Sequence, residues 1–254
     1  MGGAQRNARN KKKQAASAVA AARGTSSDRN KVIIGVVVVV LLAVGVIGGV
    51  LLTNQAAGAI PVVEAKADYP VQRQDGVVVV GKDTAKATID VYADFLCPAC
   101  GQFEKIYGEQ IEEKVTAGEL KVRYHLLPYL VRMSNPEGYS RDAANAALCA
   151  ADGGKFSTYF ASLFGKQPSE GGKGYDDDRL VELGKAVGAG GDFEQCVRGN
   201  RHDAAGETEL NAFVNNPAYQ DAEGRTGTPT VAFNGKKIDI REGGWLDKIV
   251  NPAG

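Results

Sequence analysis

The chain is 254 residues long, with 30 basic and 30 acidic side chains and a formal charge of zero. That balance conceals a division: residues 1–31 carry eight basic groups against the single acid Asp28, and the remainder carries 22 basic against 29 acidic residues. An acidic body lacks the clustered positive charge that displaces counterions from phosphates, which excludes nucleic acid as a partner. It is also long enough for one domain with its own core.

In chain order, residues 1–31 form a basic tail without apolar periodicity, predicted to be disordered. Val32–Leu52 is a run of 21 uncharged residues, the length of a transmembrane helix. The Lys/Arg density before it places the N-terminus in the cytoplasm and the body outside, as a single-pass protein of the cell membrane. The competing reading is a cleaved signal peptide ending at Ala57-Gly58-Ala59. The long basic region and the length of the apolar run favour an anchor. All four cysteines (Cys97, Cys100, Cys149 and Cys196) lie beyond this segment, in a compartment where disulfides persist.

Residues 53–74 read as a linker containing Pro61 and Pro70. Val77–Val80 is a short apolar strand. Residues 87–96 alternate, with Ala87, Ile89, Val91, Ala93 and Phe95 on one face and Thr88, Asp90, Tyr92 and Asp94 on the other. A helix begins at Pro98, with Phe103, Ile106/Tyr107, Ile111 and Val115 on its apolar side and Gly118 as its stop. Residues 120–127 form the next strand, so strand–helix–strand implies a parallel pair. From 139 to about 215 the pattern is helical, with Asp176–Asp178 as a helix-start signal. A hairpin follows, with residues 229–233 and 237–240 flanking Asn234-Gly235, and a closing helix spans about 244–250.

Two stretches carry chemistry. Asp94-Phe95-Leu96-Cys97-Pro98-Ala99-Cys100-Gly101-Gln102-Phe103-Glu104 puts a C-x-x-C at a strand-to-helix junction, and Thr226-Gly227-Thr228-Pro229-Thr230 lies about 130 residues on. Together they resemble the active-site segment and the cis-proline loop of the DsbA family of thiol–disulfide oxidoreductases. The resemblance covers roughly residues 75–250. It implies an α/β thioredoxin-like fold, a central mixed sheet flanked by helices, in segments 75–138 and 216–254. An α-helical insertion at 139–215 and the N-terminal transmembrane helix complete the expected layout.

Exchange needs a thiolate attacker and a second, resolving thiol. Cys97, where unpaired N–H groups and the helix dipole favour an anion, is the expected nucleophile, and Cys100, one turn in, the resolving thiol. Pro98, Ala99, Thr228 and Pro229 are expected to support them, and Asp94 and Glu104 are candidates for tuning their titration. A proline alone is more often trans; the resemblance implies that the Thr228–Pro229 bond is cis, turning the backbone of Thr228 toward Cys97. Members of the family best known as oxidants carry histidine where this chain has Ala99. The expected potential therefore lies between about −120 and −270 mV. Cys149 and Cys196 read most simply as a structural disulfide. The alternatives are a second redox pair or a zinc site, although no second C-x-x-C supports the metal. His125 and His202 lack ligand spacing.

The resemblance implies an enzyme that donates its Cys97–Cys100 disulfide to reduced, unfolded secreted or cell-envelope proteins, with no cofactor besides that disulfide and no metal. A DsbB-type or vitamin-K-epoxide-reductase-like membrane partner would reoxidise it. The alternatives are a reductase or isomerase of the same fold, and a non-catalytic envelope module that binds polypeptides.

Overall fold

The computed structural model describes residues 59–66 and 69–251. The basic tail at 1–31, the apolar span at 32–52 and residues 53–58 of the linker lie outside the described residues. Among the described residues no helix is long and apolar enough to cross a membrane.

Six strands form one mixed sheet: β1 (Val71–Gln74), β2 (Val77–Val80), β3 (Ala87–Ala93), β4 (Leu120–Leu126), β5 (Thr230–Phe233) and β6 (Lys236–Lys237), in the order β1-β2-β4-β3-β5-β6. The central pair β3 and β4 is parallel, from Ala87 opposite Leu120 to Ala93 opposite Leu126. All other pairings are antiparallel. The crossover between the parallel strands is α1 (Pro98–Thr116), which starts with proline at its first position and gives way to Gly118 at φ 74°. The hairpin of β5 and β6 turns on Asn234 and Gly235, both at positive φ, as a two-residue turn of this kind requires.

Five helices follow β4: α2 (Tyr139–Asp152), α3 (Phe156–Gly165), α4 (Asp177–Ala186), α5 (Phe193–Arg198) and α6 (Asp203–Val214). A 3₁₀ turn at Pro217–Tyr219 leads back to the sheet, and α7 (Trp245–Val250) closes the chain. Asp176 caps α4 by accepting the Arg179 N–H. Cys149 on α2 and Cys196 on α5 are bonded to each other across 47 positions.

Several local expectations are corrected. Residues 71–74, expected in the linker, are strand β1. Residues 60–66 lie against the body: Ile60 is buried, Val63 N–H donates to Ser162 Oγ (2.8 Å), Ala65 N–H to Thr158 Oγ1 (3.3 Å) and Lys66 N–H to Glu112 Oε1 (2.7 Å). The β3 strand stops at Ala93, because the chain turns there toward the helix. It has no solvent face: Tyr92 packs on His125, Phe213 and Tyr219. Ile106 is 56% exposed instead of joining the α1 core face. Strand β6 is only two residues long, and the chain leaves the hairpin after Ile238, whose N–H donates to the Val231 carbonyl (2.8 Å).

Candidate active site

The α1 helix starts where the parallel strand β3 ends, so its first turn lies at the carboxyl edge of the sheet. Cys97 is the N-cap residue, in extended backbone, and its carbonyl accepts the N–H groups of Cys100 (3.0 Å) and Gly101 (3.2 Å). Both Cys97 and Cys100 are free thiols. Cys97 is 6% exposed and Cys100 is 1% exposed. The attacker is therefore more accessible than its partner, though less open than a surface thiol.

The two thiols differ in acidity. A hydrogen bond from Cys100 outweighs burial, and bonds at Thr228, Cys100 and Ala99 add to it, lowering Cys97 to about 6. Burial and the neighbouring Cys97 sulfur raise Cys100 well above an ordinary thiol. Sγ of Cys97 lies 3.3 Å from the Thr228 carbonyl, and the Thr228–Pro229 bond is cis. That loop is held by Tyr129, whose hydroxyl donates to the Thr226 carbonyl, and by Thr230, whose hydroxyl donates to the Gly227 carbonyl. A second cis bond, Asn135–Pro136, was not anticipated.

The two candidate acids have different surroundings. Asp94 is buried and braces the turn before Cys97: its carboxylate accepts the N–H groups of Leu96 and Leu130 (both 2.7 Å) and the Ser140 hydroxyl (2.9 Å). Burial pushes it up to about 6 against those three donors. Glu104, one turn beyond Cys100, is raised to about 8 by burial, and its Oε1 has no hydrogen-bond partner. It lines a cavity of about 690 Å³ between α1, α3 and the 63–66 segment.

On the other side of the cysteines an apolar groove of about 730 Å³ runs past Ala99, Phe103, Ile106, Pro229 and Ile240. Exposed Ile106 lines this groove.

Sequence reasoning missed the groups that hold the redox turn from a distance. Gln167, just after α3, donates its side-chain amide to the carbonyls of Phe95 (2.9 Å) and Cys97 (2.8 Å). Ser140 and the Leu130 N–H reach Asp94 from 46 and 36 positions away. No local pattern marks them. His125 and His202 are more than bland polar residues. His125 bridges Glu209 (2.7 Å) and Asp90 (3.0 Å), and His202 bonds Asp152 (2.8 Å). One ring nitrogen of His202 lies within 4.8 Å of both Cys149 and Cys196 sulfurs, but those sulfurs are bonded to each other and are not thiolate ligands.

A family model described as thioredoxin matches residues 73–249. The oxidised DsbA of Mycobacterium tuberculosis is 31% identical, with a TM-score of 0.57 over 69% of this chain and 93% of that one. The chain belongs to the DsbA-like thioredoxin family. It is a thiol–disulfide oxidoreductase. The fold is shared more widely: MdbA, a thiol-disulfide oxidoreductase from Corynebacterium diphtheriae, has a TM-score of 0.60 at 24% identity, over 72% of this chain and 94% of that one. Among curated sequences, the serine/threonine-protein kinase PknE of M. tuberculosis strain H37Rv is 30% identical over 182 residues. That match covers 69% of this chain, which spans only 31% of the kinase's length.

Proposed function

We propose that this oxidoreductase is a membrane-anchored, extracytoplasmic disulfide donor acting on reduced, unfolded secreted or cell-envelope polypeptides. The observation that carries the direction is the asymmetry of the two thiols. An anion on Cys97 is favoured at the helix start, where the Cys100 thiol bonds it, and Cys100 holds its proton. A stabilised Cys97 thiolate stabilises the reduced enzyme, which makes the disulfide more oxidising.

In the oxidised enzyme a substrate thiolate attacks Sγ of Cys97. The Cys97–Cys100 bond breaks and Cys100 leaves with the electron pair, then takes up a proton. A second substrate thiolate attacks the substrate sulfur of the mixed disulfide and expels Cys97 as a thiolate. Two electrons have then passed from the substrate dithiol to the enzyme, and the low pKa of Cys97 makes it a good leaving group. The cis-proline loop and the apolar groove suit an extended polypeptide laid beside the sulfur, with backbone pairing at Thr228 and apolar side chains over Ile106 and Phe103. The Cys97–Cys100 disulfide serves as the redox group. A DsbB-type or vitamin-K-epoxide-reductase-like membrane protein withdraws the electrons, and the apolar span at 32–52 keeps the enzyme near it.

Two measurements test this. With Cys100→Ala, mixed disulfides through Cys97 should accumulate in cells; their absence, together with no oxidation of a reduced substrate by the wild type, would leave a binding module. The wild-type equilibrium with glutathione should give a potential clearly above about −270 mV; a value at that level would turn the assignment to a reductase or isomerase.

A further inference from the structure

We propose that Gln167 is a positioning residue of the redox centre, a link by which the helical insertion holds the backbone of the Cys97 turn. The side chain reaches in from the end of α3 and donates to two carbonyls of one short segment, those of Phe95 and Cys97. The Cys97 carbonyl already accepts Cys100 N–H and Gly101 N–H as the first acceptor of α1. The Gln167 amide is thus a third donor converging on the residue that bears the reactive sulfur, not a rescue of an empty acceptor.

Its approach is built into both partners. Around Gln167, the Lys166 N–H donates to the Ser162 carbonyl, the Tyr175 hydroxyl donates to the Lys166 carbonyl, and Pro168 restricts the next step of the chain. Phe95 packs its ring between Phe160 and Phe164 of the same helix. On the active-site side, Gly101 leaves the space the amide needs: a Cβ there would stand 2.3 Å from Gln167 Oε1, and the three nearest atoms it would meet all belong to Gln167. Glycine in the first turns of a helix costs stability relative to alanine, and here it makes room for this contact.

The positive ends of the amide N–H dipoles lie next to the turn in which the Cys97 anion forms. Removing them weakens the field that favours the thiolate and loosens the turn that points N–H groups at the sulfur. The reduced enzyme then loses stability relative to the disulfide form.

The test uses the full chain in detergent and compares Gln167→Ala, Gln167→Glu and Gly101→Ala with the wild type. The readouts are the pH dependence of thiolate absorbance for Cys97 and the equilibrium constant with glutathione. Gln167→Ala should raise the proton affinity of Cys97 and shift the equilibrium toward the enzyme disulfide, each by about tenfold, as expected for losing the two amide hydrogen bonds beside a charge. Gln167→Glu, which sets a carboxylate against two carbonyls, should shift both further. Gly101→Ala should act like Gln167→Ala by displacing the amide, and should add nothing in the Gln167→Ala background. A fall in thermal midpoint with both redox readouts unchanged would overturn the proposal, as would a Gly101→Ala shift that adds in full to the other. If Gln167→Ala does not fold, Gly101→Ala supplies the same readouts. The wild-type value alone tests the oxidase direction, and the differences between variants and wild type test Gln167.

Discussion

The molecule contains two cysteine pairs with opposite fates, and burial does not separate them. Cys100, Cys149 and Cys196 are each 1% exposed, and Cys97 only 6%. What differs is the surroundings. Cys149 is in the last turn of α2 and Cys196 is on α5, two packed helices, and the two sulfurs are bonded to each other. Cys97 instead caps α1, accepts a hydrogen bond from the Cys100 thiol and sits on a turn held by Asp94 and Gln167. One pair closes a loop of 47 positions and staples the insertion. The other spans two intervening residues, closes almost no loop, and is arranged so that one of its sulfurs is stable as an anion. Redox activity here follows from polar groups placed around a sulfur, not from its exposure.

The sharpest way to break that contrast is to remove each pair in turn. Cys97→Ser should abolish disulfide exchange with a reduced peptide, a loss of at least about 10³-fold, because the thiolate is the reacting group, while leaving the unfolding midpoint of the reduced chain close to wild type at about pH 5, where Cys97 is protonated and its anion no longer contributes. Replacing Cys149 and Cys196 together by alanine should do the reverse. Exchange rates should stay within about twofold, and stability toward urea should fall by about 4 kcal/mol in the chain-entropy model. A large loss of exchange in the second variant would mean that the insertion pair relays electrons.

A smaller effect separates the pairs by pH. The folded Cys97 titrates at about 6, below an ordinary thiol. Its contribution to stability is therefore present above the unfolded value near 8.5 and is lost as pH falls through 6. Only the reduced chain has this group. Lowering pH from 8 to 6 should make the reduced chain lose roughly 2–3 kcal/mol relative to the oxidised one. Parallel urea titrations of both forms at the two pH values check this. Equal losses in both forms would show that the turn around Cys97 does not stabilise the anion.

How much of this was legible in the sequence follows the range of the interactions. Cys97, Pro98 and Cys100 lie within one helical turn, and Val91, Ala93 and Phe95 alternate in the preceding strand, so the strand-to-helix junction could be read locally. The parallel pairing of β3 with β4 followed from the helix between them, and Asn234-Gly235 announced its hairpin. Gln167, Ser140 and the Leu130 N–H reach the same turn from 36 or more positions away, through packing that no periodicity records. Residues 60–66 failed for a related reason. They carry no strand or helix pattern, and are held by single backbone bonds to side chains of α1 and α3. Gly101 was the one local trace of Gln167, and alone it says only that something stands close.

The smallest expected effect concerns the one titrating group beside the structural pair. His202 lies next to the Cys149–Cys196 bond and donates its Nε2–H to Asp152. Burial lowers its proton affinity, the Asp152 bond opposes this, and the charge on Arg73 adds to the lowering. A depressed value means stability that is present above pH 6.5 and lost as pH falls, because the unfolded chain takes up the proton first. His202→Gln keeps a polar partner for Asp152 and removes the titration. The variant should therefore lose less stability than the wild type between pH 7 and pH 5 in urea titrations, with an unchanged rate of disulfide exchange. If His202 instead tuned a second redox centre, as the groups around Cys97 tune the first, the exchange rate or the glutathione equilibrium would move with it. A protein with one pair shaped for electron flow and one for closure should show the change in acid stability alone.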